Sequence, residues 1–197
     1  AYILEVNKTA HGPQIVLSRS DAQFVKKLFE IEVPEIAEGI VEIRSIAREA
    51  GERTKLAVWS KDDKVDAVGA CVGMRGSRVK DIVRELQGER VDIIRWADDL
   101  REYVKAALSP AEISELKIDT VHKKIEVIVA DDQLSIGIGK HGQNIRLASK
   151  LIGWEMDIRG KGEKAKEAFG ALTAGVAADA EAPAQEPHAE GADEPAE

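Results

Sequence analysis

"IGIGKHGQNIR" (residues 136–146) carries Gly137, Gly139 and Gly142 in the spacing G-x-G-x-x-G. That spacing is a dinucleotide-binding fingerprint when a strand leads directly into it and a helix follows. The preceding "KKIEVIVADD" has the β-branched pattern of a strand and the following "QNIRLASKL" the apolar spacing of a helix. The strand pattern stops near Ala130, however. "DDQLSI" then intervenes where the fingerprint wants a tight strand-to-turn passage.

A second stretch decides between readings. "VGACVGMRGSRVKDIVRELQGERVDII" (68–94) aligns with "LSIGIGKHGQNIRLASKLIGWEMDIR" (134–159) across one single-residue gap. Val68 matches Leu134, Val72 matches Ile138, Val79 matches Ile145, Gly88 matches Gly153 and Asp92 matches Asp157. Cys71 stands where Gly137 would complete the dinucleotide pattern. What both copies keep is G-x-x-G, as Gly73-Met74-Arg75-Gly76 and Gly139-Lys140-His141-Gly142. Neither copy has the G-x-x-x-x-G-K-[ST] of a Walker phosphate loop.

Working outward, the elements upstream of each loop also correspond. "SDAQFVKKLFEIEV" predicts a helix capped by Ser20 or Asp21, with Phe24, Leu28 and Ile31 on its apolar face. "IVEIRSIAREAG" and "ERTKLAVWSKDD" predict two strands. "ADDLREYVKAALS", "AEISELKIDTV" and "HKKIEVIVADD" repeat helix, strand, strand. The body therefore reads as a duplication of α-β-β-α-α-β. The short connection after Ile94 implies that the copies pack against each other. Before it, "AYILEVNKTAHGPQIVLSR" reads strand, turn, strand. A lone hairpin is marginal in water, so it is read as the end of a β-domain or as an appendage.

Composition narrows the function. The formal charge is −8, but residues 171–197 hold seven acids and no Lys or Arg, leaving 28 basic against 29 acidic residues in the remaining 170. The body is near neutral and can carry local basic patches, which matter more for binding than the total. "AEAPAQEPHAEGADEPAE" has no aromatic residue and reads as disordered. The single cysteine excludes an internal disulfide and fits a reducing compartment. No stretch has the ~20 apolar residues of a membrane span. No metal-ligand spacing, nucleophile–base constellation or paired acid/base site emerges, so neither an enzyme nor a cofactor is predicted. The chain does not open with Met, which reads as a piece of a longer protein.

A G-x-x-G turn between two short helices has a physical use. Absent side chains let a nucleic-acid backbone approach, and the free N–H groups of the next helix favour phosphate. The predicted contact set is Val72, Gly73, Met74, Arg75, Gly76, Ser77, Arg78 and Lys80 in the first copy. In the second it is Ile136, Ile138, Gly139, Lys140, His141, Gly142, Gln143, Asn144 and Arg146. Arg75, Arg78, Lys140 and Arg146 would meet phosphates, Gln143 and Asn144 would read base edges or the 2′-hydroxyl, and Val72, Ile136 and Ile138 would form a floor for bases. Asp62, Asp63, Asp131 and Asp132 read as caps or turn residues. Trp59, Trp96 and Trp154 read as packing groups.

These loops resemble those of KH domains, in which a G-x-x-G clamps about four nucleotides, and α-β-β-α-α-β is the order of the type II form. With "VLSRSDAQFVKKLFEIEVPEI" at the hairpin junction and "IGIGKHGQNIRLASKLIGW" in the second copy, residues 1 to about 162 resemble the NusA family of transcription factors. The resemblance implies an α+β chain. Residues 1–19 would be the last strands of an OB-fold barrel of the ribosomal-protein-S1 type, 20–96 a first KH domain, 97–162 a second, and 163–197 a disordered acidic tail. It further implies single-stranded RNA, the nascent transcript, as ligand. RNA polymerase and elongation factors would be partners of the whole protein, with control of pausing, termination and antitermination, a cytoplasmic location and a monomeric state. The rival reading is a protein-interaction scaffold that uses the tail and helices, with structural loops.

Overall fold

The computed structural model describes residues 1–9 and 12–162. The predicted tail, 163–197, lies outside the described residues. A two-stranded antiparallel hairpin comes first, β1 (Tyr2–Thr9) with β2 (Gly12–Ser18). Then α1 (Ala22–Glu32) and the single turn α2 (Pro34–Ala37) precede β3 (Val41–Glu49) and β4 (Arg53–Ser60). Next come α3 (Ala67–Val72), α4 (Ser77–Glu85) and β5 (Arg90–Arg95). The order recurs in α5 (Leu100–Leu108), β6 (Ile113–Asp119), β7 (Lys124–Val129), α6 (Asp131–Ile138), α7 (Gln143–Ile152) and β8 (Glu155–Gly160).

Each copy builds one mixed sheet of three strands. β3 pairs antiparallel with β4, and β4 pairs parallel with β5; β6, β7 and β8 repeat this. A parallel neighbour needs a crossover, and the α–loop–α segment provides it. The same turn that joins the two crossover helices therefore lies at the heart of each copy.

Asp21 caps α1 by accepting the Gln23 N–H at 2.7 Å, as its sequence position predicts. The apolar face of α1 needs correction. Phe24, Val25 and Phe29 are buried, whereas Ile31 is 82% exposed. The sheet covers the helix one residue round from the 24–28–31 stripe, and the last turn overhangs it. Of the carboxylates ahead of the crossover helices, Asp62 and Asp63 lie in the turn after β4 as predicted, while Asp131 and Asp132 differ from the prediction. Asp66, not Asp62 or Asp63, caps α3 through the Val68 N–H, while Asp131 and Asp132 lie inside the first turn of α6.

The first sheet is buried on both faces. Leu56 and Val58 turn toward Phe24, Phe29, Cys71 and Ile82 in one core. Ala47, Ala57 and Ile94 turn the other way into a core shared with Tyr103, Val104, Leu108, Leu147, Ala148 and Leu151 of the second copy. Two-sided burial explains why β4 shows a continuous buried run rather than alternation. It even encloses Lys55, whose ammonium lies 3.0 Å from the Asp92 carboxylate and whose pKa burial pushes down. The copies pack together as their short connection predicts. Trp96 and Trp154 pack against the shared core, and Trp59 lies under the Arg44 guanidinium.

The junction with the hairpin is fixed by a buried ion pair. Arg48 donates to both oxygens of Glu89 and to the Arg19 and Asp21 carbonyls, while Glu89 also accepts from Thr54 and the Gly51 N–H. Glu89→Ala leaves the enclosed Arg48 guanidinium without its counter-charge and is expected to cost about 3–5 kcal/mol. Urea denaturation checks this, and an unchanged midpoint would contradict it.

Candidate nucleic-acid interface

The two G-x-x-G turns have the same backbone. Gly73 and Gly139 take φ/ψ of 74°/173° and 73°/172°, Arg75 and His141 take 52°/27° and 53°/29°, and Gly76 and Gly142 take 76°/21° and 72°/12°. Each pair of glycines divides its work. A Cβ on Gly73 would sit 2.7 Å from Arg78 Cγ, and one on Gly139 2.8 Å from Asn144 Cβ, so the first glycine is required by the next helix. Gly76 and Gly142 have room for a Cβ but lie in the left-handed region that glycine tolerates. Gly76 and Gly142 are also the N-caps of α4 and α7. Neither has a side chain to cap with: the Ser77 and Gln143 N–H groups donate to the Met74 and Lys140 carbonyls within the turn, and no side chain caps either helix N-terminus.

Two side chains hold each turn. Two residues past the motif, Arg78 donates to the Ala70 carbonyl at 2.6 Å and to Glu35, and Asn144 donates to the Gly137 and Leu108 carbonyls at 3.1 and 3.2 Å. Each therefore staples the helix before the turn to the helix after it. Four residues past the motif, Lys80 donates to the Arg75 carbonyl at 3.1 Å and Arg146 to the His141 carbonyl at 3.0 Å. These brace the turn's tip from below.

This geometry sorts the predicted contact residues. Met74, Arg75, Ser77 and Lys80, together with Ile136, Lys140, His141 and Arg146, are exposed; Met74 is 88% so. Val72, Arg78 and Ile138 are half-buried beside them. Gln143 and Asn144 are corrections. Both are buried, Asn144 at 1% exposure, and both amides are engaged within the protein, so neither is placed to read a base. Arg78 is likewise tied to Glu35 at 2.9 Å. Gly137 lies within α6, where a Cβ would collide with Ile158 Cδ1; it lets α6 pack on β8 and belongs to no cofactor loop. Its counterpart Cys71 is fully buried, which pushes its thiol up to about 12.

Sequence reasoning missed the acidic partners. Glu49, at the end of β3, accepts from Arg146 Nε and Nη2 at 2.5 and 2.9 Å and from Gln143 at 3.1 Å. Glu52 accepts from Gln143 at 2.7 Å. The second copy's turn is thus clasped by the first copy's hairpin. No spacing rule links residues 49 and 146, so only the fold brings them together. Among the described residues there is no group of His, Cys, Asp and Glu able to hold a metal ion, and no helix long and apolar enough to cross a membrane.

A pair of G-x-x-G crossover units, each on a mixed three-stranded sheet, defines tandem KH domains. Comparison with known sequences agrees: the NusA-like first KH domain matches residues 19–96 and the NusA-like second KH domain residues 100–166. The chain belongs to the NusA-like KH family. It is similar to the transcription termination/antitermination proteins NusA of Halalkalibacterium halodurans (53% identical over 163 residues), Bacillus subtilis (52% over 158) and Thermus thermophilus (48% over 155). These alignments cover 79–83% of the chain but 40–43% of the relatives, so the chain spans less than half their length. Among solved structures, a protein designated APE1850 shares the fold, with a TM-score of 0.50 and 23% identity over 70% of this chain and 97% of its own.

Arg146 holds the Glu49 carboxyl down from 4.5 to about 2, chiefly through the hydrogen bonds it donates, with Gln143 assisting. A depressed folded-state pKa stabilises above the unfolded value and is lost as pH falls through the folded one. The clasp therefore strengthens the fold above about pH 4.5 and fails toward pH 2. Glu49→Gln is expected to flatten the fall in stability across that window, read from urea midpoints against pH. Parallel curves for the two proteins would contradict it.

Proposed function

We propose that this chain binds single-stranded RNA with its two G-x-x-G turns acting as one extended surface. The observation that carries this reading is the pair of turns with one backbone conformation, each opening a helix N-terminus flanked by exposed basic residues. A phosphate seated at Gly76 or Gly142 meets a helix N-terminus that no side chain caps and the positive end of the helix dipole. Arg75 and Lys80, or Lys140 and His141, stand beside it. Met74 and Ile136 offer apolar surface to bases. Arg146 contributes the part of its guanidinium that Glu49 leaves facing solvent.

The relatives are transcription termination/antitermination proteins by name; we propose that the parent of this chain likewise regulates termination and antitermination, and with them elongation and pausing, with the nascent transcript as ligand and RNA polymerase as partner. Residues 1–19 are then the last strands of an S1-type barrel. Exposed Ile3, Leu4, Val6, Ile15 and Leu17 on the hairpin support this, since a barrel would cover them. Residues 20–96 and 97–162 form the two KH domains, acting as a monomer in the cytoplasm. The scaffold alternative is disfavoured because both exposed turns repeat the same basic chemistry.

Replacing Met74 and Arg75 with Asp, or Lys140 and His141 with Asp, is expected to weaken binding to a labelled single-stranded RNA about tenfold or more, with unchanged circular dichroism. Affinity of the parent should fall steeply as salt rises. Two loop variants that bind like the parent would overturn the reading.

A further inference from the structure

A cleft of about 220 Å³ lies at the C-terminal ends of the parallel strands β4 and β5, at the opposite end of α3 from the first turn. Trp59 and Trp96 line it with Arg95, Val65, Asp62 and Asp63. The Trp96 backbone N–H donates to the Val58 carbonyl at 2.8 Å, which continues the β4–β5 pairing and brings Trp96 next to Trp59 at one sheet end. The Arg44 guanidinium sits 4.3 Å over Trp59 and 5.4 Å from the Trp96 ring, holding both. Arg95, mostly exposed, pairs with Asp66 at 3.3 Å on the rim.

The second copy lacks this construction. Matching Asp92 with Asp157 in their sheets places Ala130 where Trp59 stands and Gly160 where Arg95 stands. There the chain passes straight from Ala130 into α6, whereas the first copy inserts Ser60–Val65 before Asp66. Fold alone therefore does not require the cleft; the first copy has added two indoles, an arginine and a carboxylate-bearing loop.

We propose that this cleft holds one unpaired base of the bound RNA, a purine presenting N–H donors, with guanine preferred over uracil. The proposal rests on the RNA-binding reading above. The cavity is smaller than the ~300–1,000 Å³ of pockets for drug-sized ligands, and suits a single planar ring system. Indoles supply stacking, which every base accepts. Asp62 and Asp63 accept hydrogen bonds and donate none, so they favour an edge of adjacent N–H groups, as guanine has, and disfavour the carbonyls of uracil. Arg95 lies where the strand's phosphate would pass. Helix α3 runs from Ala67 in the cleft wall to Val72 beside Gly73. Its six residues span about 9 Å. That is roughly three nucleotides of a stacked strand from the turn, so RNA clamped at Gly73–Gly76 reaches the cleft without a break.

The test walks an abasic site along a short fluorescein-labelled G-containing RNA and measures its affinity for the full chain and for Trp59→Leu. One abasic position should cost the parent about tenfold, or ~1.4 kcal/mol. Trp59→Leu should show that loss with intact RNA and no added loss at that position. A Trp59→Leu protein that binds like the parent, or losses that add in full at every position, would overturn the proposal. Should Trp59→Leu not fold, Asp62→Asn with Asp63→Asn on the exposed loop must still erase the preference for G over U at that position; an unchanged preference overturns it. The Asp variants of the turns serve as the control. If they bind RNA normally, RNA binding through the turns is wrong; if they fail while the cleft variants change nothing, only the cleft assignment falls.

Discussion

Helix α7 packs against both sheets at once, and most of the structure follows from its position. Leu147, Ala148 and Leu151 fill the space between the second sheet and the outer face of the first, beside Ala47, Ala57 and Ile94. Around that apolar contact, Ser45 donates to the Leu151 carbonyl at 2.6 Å, and Glu49 and Glu52 take the amide and guanidinium of Gln143 and Arg146. The helix that opens at the second G-x-x-G is therefore part of the first domain's sheet packing. Two turns that would otherwise hang on independent domains are fixed relative to each other, and an ordered, extended surface needs less conformational ordering when a strand binds.

Each turn is itself preorganised by the same two devices in different chemistry. The staple is a guanidinium in Arg78 and an amide in Asn144; the brace is an ammonium in Lys80 and a guanidinium in Arg146. In the first copy both devices carry charge, and Arg78 is neutralised by Glu35. In the second, the staple is neutral and buried, and the brace is neutralised by Glu49. The exposed tip residues, Met74 and Arg75 or Lys140 and His141, thus stand on a scaffold whose hydrogen bonds are already made.

Much of the architecture was legible because duplication doubles every signal. The register of Gly73 and Gly76 with Gly139 and Gly142 separated a structural Gly137 from the shared turn, and Cys71 gave the reason. Strands and helices followed from period and capping. What escaped were contacts between residues far apart in sequence. Arg78, Gln143 and Asn144 have the composition of ligand-binding groups, and nothing local distinguishes an amide facing RNA from one facing a buried carbonyl. Ile31 satisfied a helical stripe but overhangs the sheet.

The central claim is that both turns engage one RNA strand through helix N-termini that no side chain caps. Amide chemical shifts of the isotopically labelled chain, followed as single-stranded RNA is added, test it most directly. The account predicts that the backbone N–H signals of Arg78 and Asn144 move together, at one apparent affinity, while the hairpin β1–β2 stays still. Shifts confined to the hairpin or the outer face of α1, with both turns silent, would contradict it.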